Sequence, residues 1–87
     1  MSELINSDLI KIKILHFLIE VGDDEISPSK IANELKIKYE TVKNALIFLE
    51  KILFVKKKKE THGKKFYEYY SLTEIGENIT NKLRERI

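Results

Sequence analysis

The sequence predicts a mainly helical domain with one small β-hairpin, in the order helix, helix, helix, hairpin, helix. Three observations carry this expectation. Apolar residues recur at helical spacing in three successive stretches, parted by Gly22 and by the three-residue run Lys36-Ile37-Lys38. The pattern then changes to an aromatic-rich run that follows a turn signal at Gly63. A last helical stripe of Ile75, Ile79, Leu83 and Ile87 ends the chain. With 87 residues there is room for one core. The reading is therefore a single domain over 1–87, with its core at about 8–80.

The first helix is expected over 8–21, with Asn6 or Ser7 as cap and Gly22 as stop. Only Lys13, His16 and Glu20 form a polar stripe on it. Ile10, Ile12, Ile14, Leu15, Phe17, Leu18 and Ile19 cover the rest, so this helix is buried on more than one side. A loop follows, containing Asp23, Asp24 and Glu25. Ser27 then caps a second helix that starts at Pro28, since serine accepts a first-turn amide and proline tolerates the first helical position. Ile31, Ala32 and Leu35 point inward, and the helix ends near Leu35. A third helix runs over 39–51, with Val42, Ala45, Leu46 and Leu49 on one face. Two short helices joined by three residues describe a helix-turn-helix. Ala32 and Ala45 permit a close crossing, and Ile37 fills the gap between them.

The hairpin spans about 54–72, with its turn over 61–64 and Gly63 suited to a positive φ. Thr73 caps a final helix that reaches about residue 86, and Glu74 suits its positive amino end.

Charge is unevenly spread. Residues 36–67 carry ten basic and three acidic groups, a net of +7, whereas residues 1–35 are net −4 and residues 68–87 net −1. Such a block suggests a surface for a polyanion; a solvated lysine-rich face gives the same composition. Cysteine is absent and no secretory signal or membrane span is evident, so a cytoplasmic protein is expected. The abundance of Ile, Lys and Glu hints at a thermophilic or AT-rich source. His16 and His62 are too few and too far apart for a metal site. Neither a Ser/His/Asp constellation nor a glycine-rich phosphate loop is present, and the acidic loop lacks calcium-site spacing. No cofactor, small-molecule effector or enzymatic activity is expected.

Three segments carry a resemblance to known proteins. These are 14–18 with 26–32, then Thr41-Val42-Lys43-Asn44-Ala45-Leu46 with Leu49-Glu50-Lys51, then Tyr70-Ser71-Leu72-Thr73-Glu74-Ile75-Gly76. In order and spacing they resemble the winged helix-turn-helix regulators of the PadR, MarR and ArsR type, over roughly 8–80. The chain departs from that pattern in places. Leu53 stands where such proteins often carry glycine, and is read as packing into the core. Ile47 and Phe48 stand at usually polar positions. The metal-thiolate motif of the ArsR type and any added effector domain are missing.

The resemblance implies a double-stranded DNA-binding transcription regulator with the third helix in the major groove. The open face of that helix is read as Glu40, Lys43, Asn44, Ile47 and Lys51. The expected contact set is Lys38, Tyr39, Thr41, Lys43 and Asn44, with Asn44 suited to adenine and Lys43 to guanine or phosphate. The wing offers Lys56, Lys57, Lys58, Lys59, Lys64 and Lys65, with Gly63 letting the tip approach. Strand alternation forbids all six from facing DNA together. Tyr67 and Tyr69 are available for stacking on single strands. Leu4, Ile5, Ile75, Ile79, Leu83 and Ile87 are read as a homodimer interface, the favoured reading; the alternative is that the helical stripe folds back on the domain's own core. Two other readings stay open. The apolar Ile47 and Phe48 suit a protein-assembly module, and lysine-only chemistry in the wing suits a non-specific architectural DNA-binding protein.

Overall fold

A computed structural model describes residues 6–22 and 24–85. The chain runs α1 (Asn6–Val21), α2 (Pro28–Leu35), α3 (Tyr39–Lys51), β1 (Val55–His62), β2 (Lys65–Leu72) and α4 (Glu74–Glu85). This is the expected order, and α2 and α3 have the expected bounds. α1 starts earlier than expected: Asn6 already lies inside the helix, so neither it nor Ser7 occupies the flanking cap position. α1 ends where Gly22 takes φ +74. At α2, the Ser27 side chain accepts the Lys30 amide at 3.2 Å, ahead of Pro28. Lys36 then turns the chain with φ 56 and ψ 45, and the Ile37 amide reaches back to the Ala32 carbonyl at 3.0 Å.

Ile14, Leu15 and Leu18 of α1, Ile31 and Ala32 of α2, and Val42, Ala45, Leu46 and Leu49 of α3 form the centre of the core. Val55, Tyr70 and Leu72 close it from the hairpin, and Ile37 packs against it from the turn as expected. α1 touches α2, α3, α4 and β2, which accounts for its nearly all-round apolar character.

β1 and β2 pair antiparallel from Val55↔Leu72 out to His62↔Lys65. The turn is tighter than expected, because Thr61 and His62 are still strand. Only Gly63 and Lys64 remain as the loop, and Gly63 alone takes a positive φ, +66. That pattern belongs to the primed turns that match strand twist. On the other side of β2, Ile26 and Tyr70 exchange backbone bonds of 3.0 and 2.8 Å. The segment entering α2 is thus sewn to the wing.

The exit from α3 differs from the expectation at Leu53. This residue is 62% exposed rather than packed in the core, and its φ is +68. It occupies the left-handed position that closes a helix: its amide bonds to the Glu50 carbonyl at 3.0 Å, and the Phe54 amide bonds to Leu49 at 2.9 Å. The glycine-like backbone is therefore present without the glycine. The two ends of the hairpin then meet. Thr73 donates its hydroxyl to the Leu53 carbonyl at 2.5 Å and its amide to the Phe54 carbonyl at 3.1 Å. The same hydroxyl accepts the Gly76 amide at 3.0 Å, which is the expected cap of α4. Gly76 lies so close that a Cβ there would stand 2.0 Å from the Phe54 carbonyl oxygen.

Two outcomes follow from this junction. Gly76→Ala is expected to lower unfolding free energy by about 3 kcal/mol, because backbone cannot yield as a flexible side chain does; denaturant unfolding measures it. Leu53→Gly is expected to hold stability or raise it by up to about 1 kcal/mol, since strain relief offsets the added unfolded-state entropy. A marked loss in the Leu53 variant would contradict the geometry.

Candidate nucleic-acid interface

One surface combines α3, the amino end of α2 and the wing. The outward face of α3 exposes Glu40, Asn44, Ile47 and Lys51. Thr41 is half-buried and lines a depression with Ile10, Lys11, Asn44, Ala45 and Phe48, so it is turned toward α1. Tyr39 is exposed at the start of α3. It lines a cleft with Ser27, Ser29, Lys59, Phe66 and Glu68, between the helix-turn-helix and the wing. Lys38, just ahead of α3, is exposed as expected.

Lys43 departs from the open face assigned to it. Its ammonium pairs with Glu68 Oε1 on β2 and stands 3.5 Å from the Tyr70 hydroxyl. Glu68 Oε2 also lies 3.7 Å from Lys57, which lies 3.9 Å from Glu50. These four charges make a half-buried bridge from α3 to both strands. Glu68 was not singled out from the sequence. The available signal is that it is the sole carboxylate in β2 and lies two residues before Tyr70, hence on the same face.

The bridge shows in the protonation of its members. For Lys43, burial pulls the ammonium down, but the bond to Glu68 and the neighbouring Tyr70 and Glu68 charges outweigh it, holding the group above 10.5. For Glu68, the Lys43 bond holds the carboxyl below 4.5 against desolvation, helped by Lys57 and Lys59.

Register sorts the wing lysines. Lys57↔Tyr70, Lys59↔Glu68 and Thr61↔Phe66 share the face that continues the core toward the cleft. Lys56↔Ser71 and Lys58↔Tyr69 share the opposite face. Lys58 is held there by Glu25 at 3.4 Å and Glu60 at 3.7 Å, and Lys56 borders Ile19, Gly22 and Glu77. Of the six expected wing lysines, Lys59 lies toward the cleft, while Lys64 and Lys65 lie at the tip, Lys65 opposite His62 on the face of Lys56 and Lys58. Among the described residues no carboxylate lies within 4.0 Å of these three or of Lys38.

The aromatic residues are also redistributed. Tyr69 is half-buried, and Tyr67 meets His62 edge-on at 5.4 Å. Phe66, which is not among the contact residues expected from the sequence, is 81% exposed. Of the dimer candidates, Ile79 and Leu83 are half-buried and border α1, so part of the stripe serves the domain's own packing. Ile75 is exposed. Leu4, Ile5 and Ile87 lie outside the described residues. Phe48 is 44% exposed, with the Lys11 ammonium 4.0 Å above its ring. Among the described residues no cluster of three metal-ligating side chains gathers, and no helix is long and apolar enough to cross a membrane.

No family model and no curated protein matches the chain. Solved structures do. The chain is similar to a ZitR mutant from Lactococcus lactis, at 24% identity and a TM-score of 0.75 over 98% of this chain and 56% of that one. It is similar to a PadR-like transcription factor from Bacteroides fragilis, at 19% identity and 0.81 over 92% of this chain and 81% of that one. It is also similar to an S. aureus MepR mutant bound to an oligodeoxyribonucleotide, at 21% identity and 0.75 over 83% of this chain and 51% of that one. The chain thus spans little more than half the length of the ZitR and MepR chains. This likeness shows the winged helix-turn-helix fold, in agreement with the resemblance found in the sequence.

Linkage gives the bridge a pH signature. A lowered Glu68 contributes stability above its ordinary 4.5 and loses it as pH falls through the folded value. A raised Lys43 contributes below 10.5 and loses it as pH rises further. Glu68→Gln is expected to cost about 1–2 kcal/mol near pH 7. The gap from the unmodified protein should shrink once the pH is lowered below the folded Glu68 value, where both side chains are neutral. Denaturant unfolding at the two pH values reads this, and an unchanged gap would contradict it.

Proposed function

We propose that the chain is a transcription regulator that binds double-stranded DNA, with the outward face of α3 in the major groove and the wing on the backbone and adjacent minor groove. The observation that carries this reading is the sorting of the lysines. Lys43 and Lys57 are paired with Glu68 and Glu50, and Lys58 with Glu25 and Glu60, whereas among the described residues Lys38, Lys59, Lys64 and Lys65 have no carboxylate within 4.0 Å, and Lys59 lines the cleft beside α3. Unpaired cations are the ones able to replace counterions on phosphate. In this reading Asn44 contacts adenine through its amide and Tyr39 a phosphate, which the exposure of both side chains supports. Ile47 need not speak against DNA, because an apolar side chain in the major groove can contact a thymine methyl. The named relatives include a PadR-like transcription factor and a DNA-bound MepR, which favours the same reading.

A cytoplasmic homodimer belongs to this proposal, since DNA half-sites are commonly read in pairs. Exposed Leu9 and Ile75 supply apolar surface near the chain ends. A second reading, a protein-assembly module, is favoured by the apolar group Phe48, Ile52 and Leu53 at the far end of α3.

Selection of bound duplexes from a random library at two salt concentrations separates the readings. A regulator returns an enriched motif with two-fold symmetry. Salt-sensitive binding without a motif indicates an architectural protein, and absence of binding at low salt indicates the assembly module. For the regulator, four free lysines predict a slope of log affinity against log salt of about −4 per domain. Replacing Lys59, Lys64 and Lys65 by glutamine should reduce it to about −1. Replacing Lys56 and Lys58 should change it by much less.

A further inference from the structure

Phe66 has no role in the fold and none in the interface as described so far. Among the described residues it is the most exposed of the large apolar side chains, at 81%. A core-forming residue type in such a position calls for a partner outside the domain. Its place narrows the choice. Phe66 is the second residue after the two-residue loop, opposite Thr61, on the wing face that also carries Lys59. It lines the cleft with Tyr39 and Lys59, and Lys64 and Lys65 precede it directly. An apolar ring with the unpaired Lys59 on its face and Lys64 and Lys65 beside it at the tip matches a surface that is anionic outside and apolar within. A protein groove lined by apolar side chains would not need the cations. The gap between two stacked base pairs, reached between phosphates, needs both.

We propose that Phe66 is a wedge: it enters the minor groove beside the site occupied by α3, partly unstacks one base step and bends the duplex. This rests on the DNA-binding reading above and goes beyond it, since binding alone requires no insertion. The tip suits the task. Its strands stand about 5 Å apart and a minor groove is about 6 Å wide, so a side chain rather than the backbone reaches inside. Apolar side chains in minor-groove binders insert at such steps and kink DNA toward the major groove. Pyrimidine–purine steps such as TA unstack most easily, so a wedge at this position adds a preference for them at a base pair that α3 does not touch. The bridge of Lys43, Glu68 and Lys57 fixes the wing at its base, so the tip is presented at a set angle.

The test uses the full chain and duplexes recovered by the selection above. One set carries end labels for energy transfer, and a second carries 2-aminopurine in place of adenine at successive steps. Binding of the unmodified protein should shorten the end-to-end distance and raise 2-aminopurine emission at one step. Phe66→Ala should abolish both signals, weaken binding about tenfold and leave the salt slope unchanged. Phe66→Leu, which keeps an apolar wedge, should retain part of each signal. Because the ring is exposed, thermal unfolding of both variants should match the unmodified protein. Bending and emission that persist in Phe66→Ala would overturn the proposal while leaving DNA binding intact. So would a change of oligomeric state in that variant by sedimentation, which would assign the ring to a second copy of the chain. Failure of the unmodified protein to bind any duplex would overturn both readings together.

Discussion

The hairpin is held by the closure between its two ends. Thr73 binds the carbonyls of Leu53 and Phe54, and Gly76 fits against the second of these with no room for a side-chain carbon. A two-stranded hairpin is marginal in isolation, so its direction must be set by what grips its base. Here the chain leaving α3 and the chain starting α4 grip each other. The strained Leu53 backbone follows from this: the helix must stop and reverse within two residues, and only a left-handed conformation does so while satisfying the last carbonyls of α3.

Electrostatics then divides the basic block into two populations. Near the core, Glu50 and Glu68 hold Lys43 and Lys57, where unpaired cations would suffer from reduced hydration. Farther out the lysines face solvent. A net charge of +7 over residues 36–67 therefore overstates what this surface offers to a ligand. The useful quantity is the charge that remains after internal pairing, to which Lys59, Lys64 and Lys65 of the wing and Lys38 ahead of α3 contribute.

Much of the fold was legible because the local signals are short-ranged. Ser27-Pro28 starts α2 and Thr73 starts α4 through hydrogen bonds within one turn, and the apolar spacing of α3 needs no distant information. The site was less legible because its geometry depends on contacts distant in sequence. Lys43 looked free on a helical projection, yet its partner lies 25 residues away on β2. Leu53 looked like a core residue because its type is apolar, whereas its position is dictated by the turn. Strand alternation foretold that the wing lysines would split between two faces. Which face meets α3 depends on Tyr70 being drawn into the core.

The strand β1 has a further property. Its outer edge pairs with nothing among the described residues, since the sheet has only two strands and Ile26 joins on the side of β2. An open edge is a template on which another polypeptide can add a strand. Of the four successive lysines along it, Lys56 and Lys59 have no carboxylate within 4.0 Å among the described residues, and their charge makes mutual approach of two such edges repulsive. Lys56, which faces away from the cleft, thus has an effect that involves no ligand: its charge disfavours edge-to-edge pairing of two molecules.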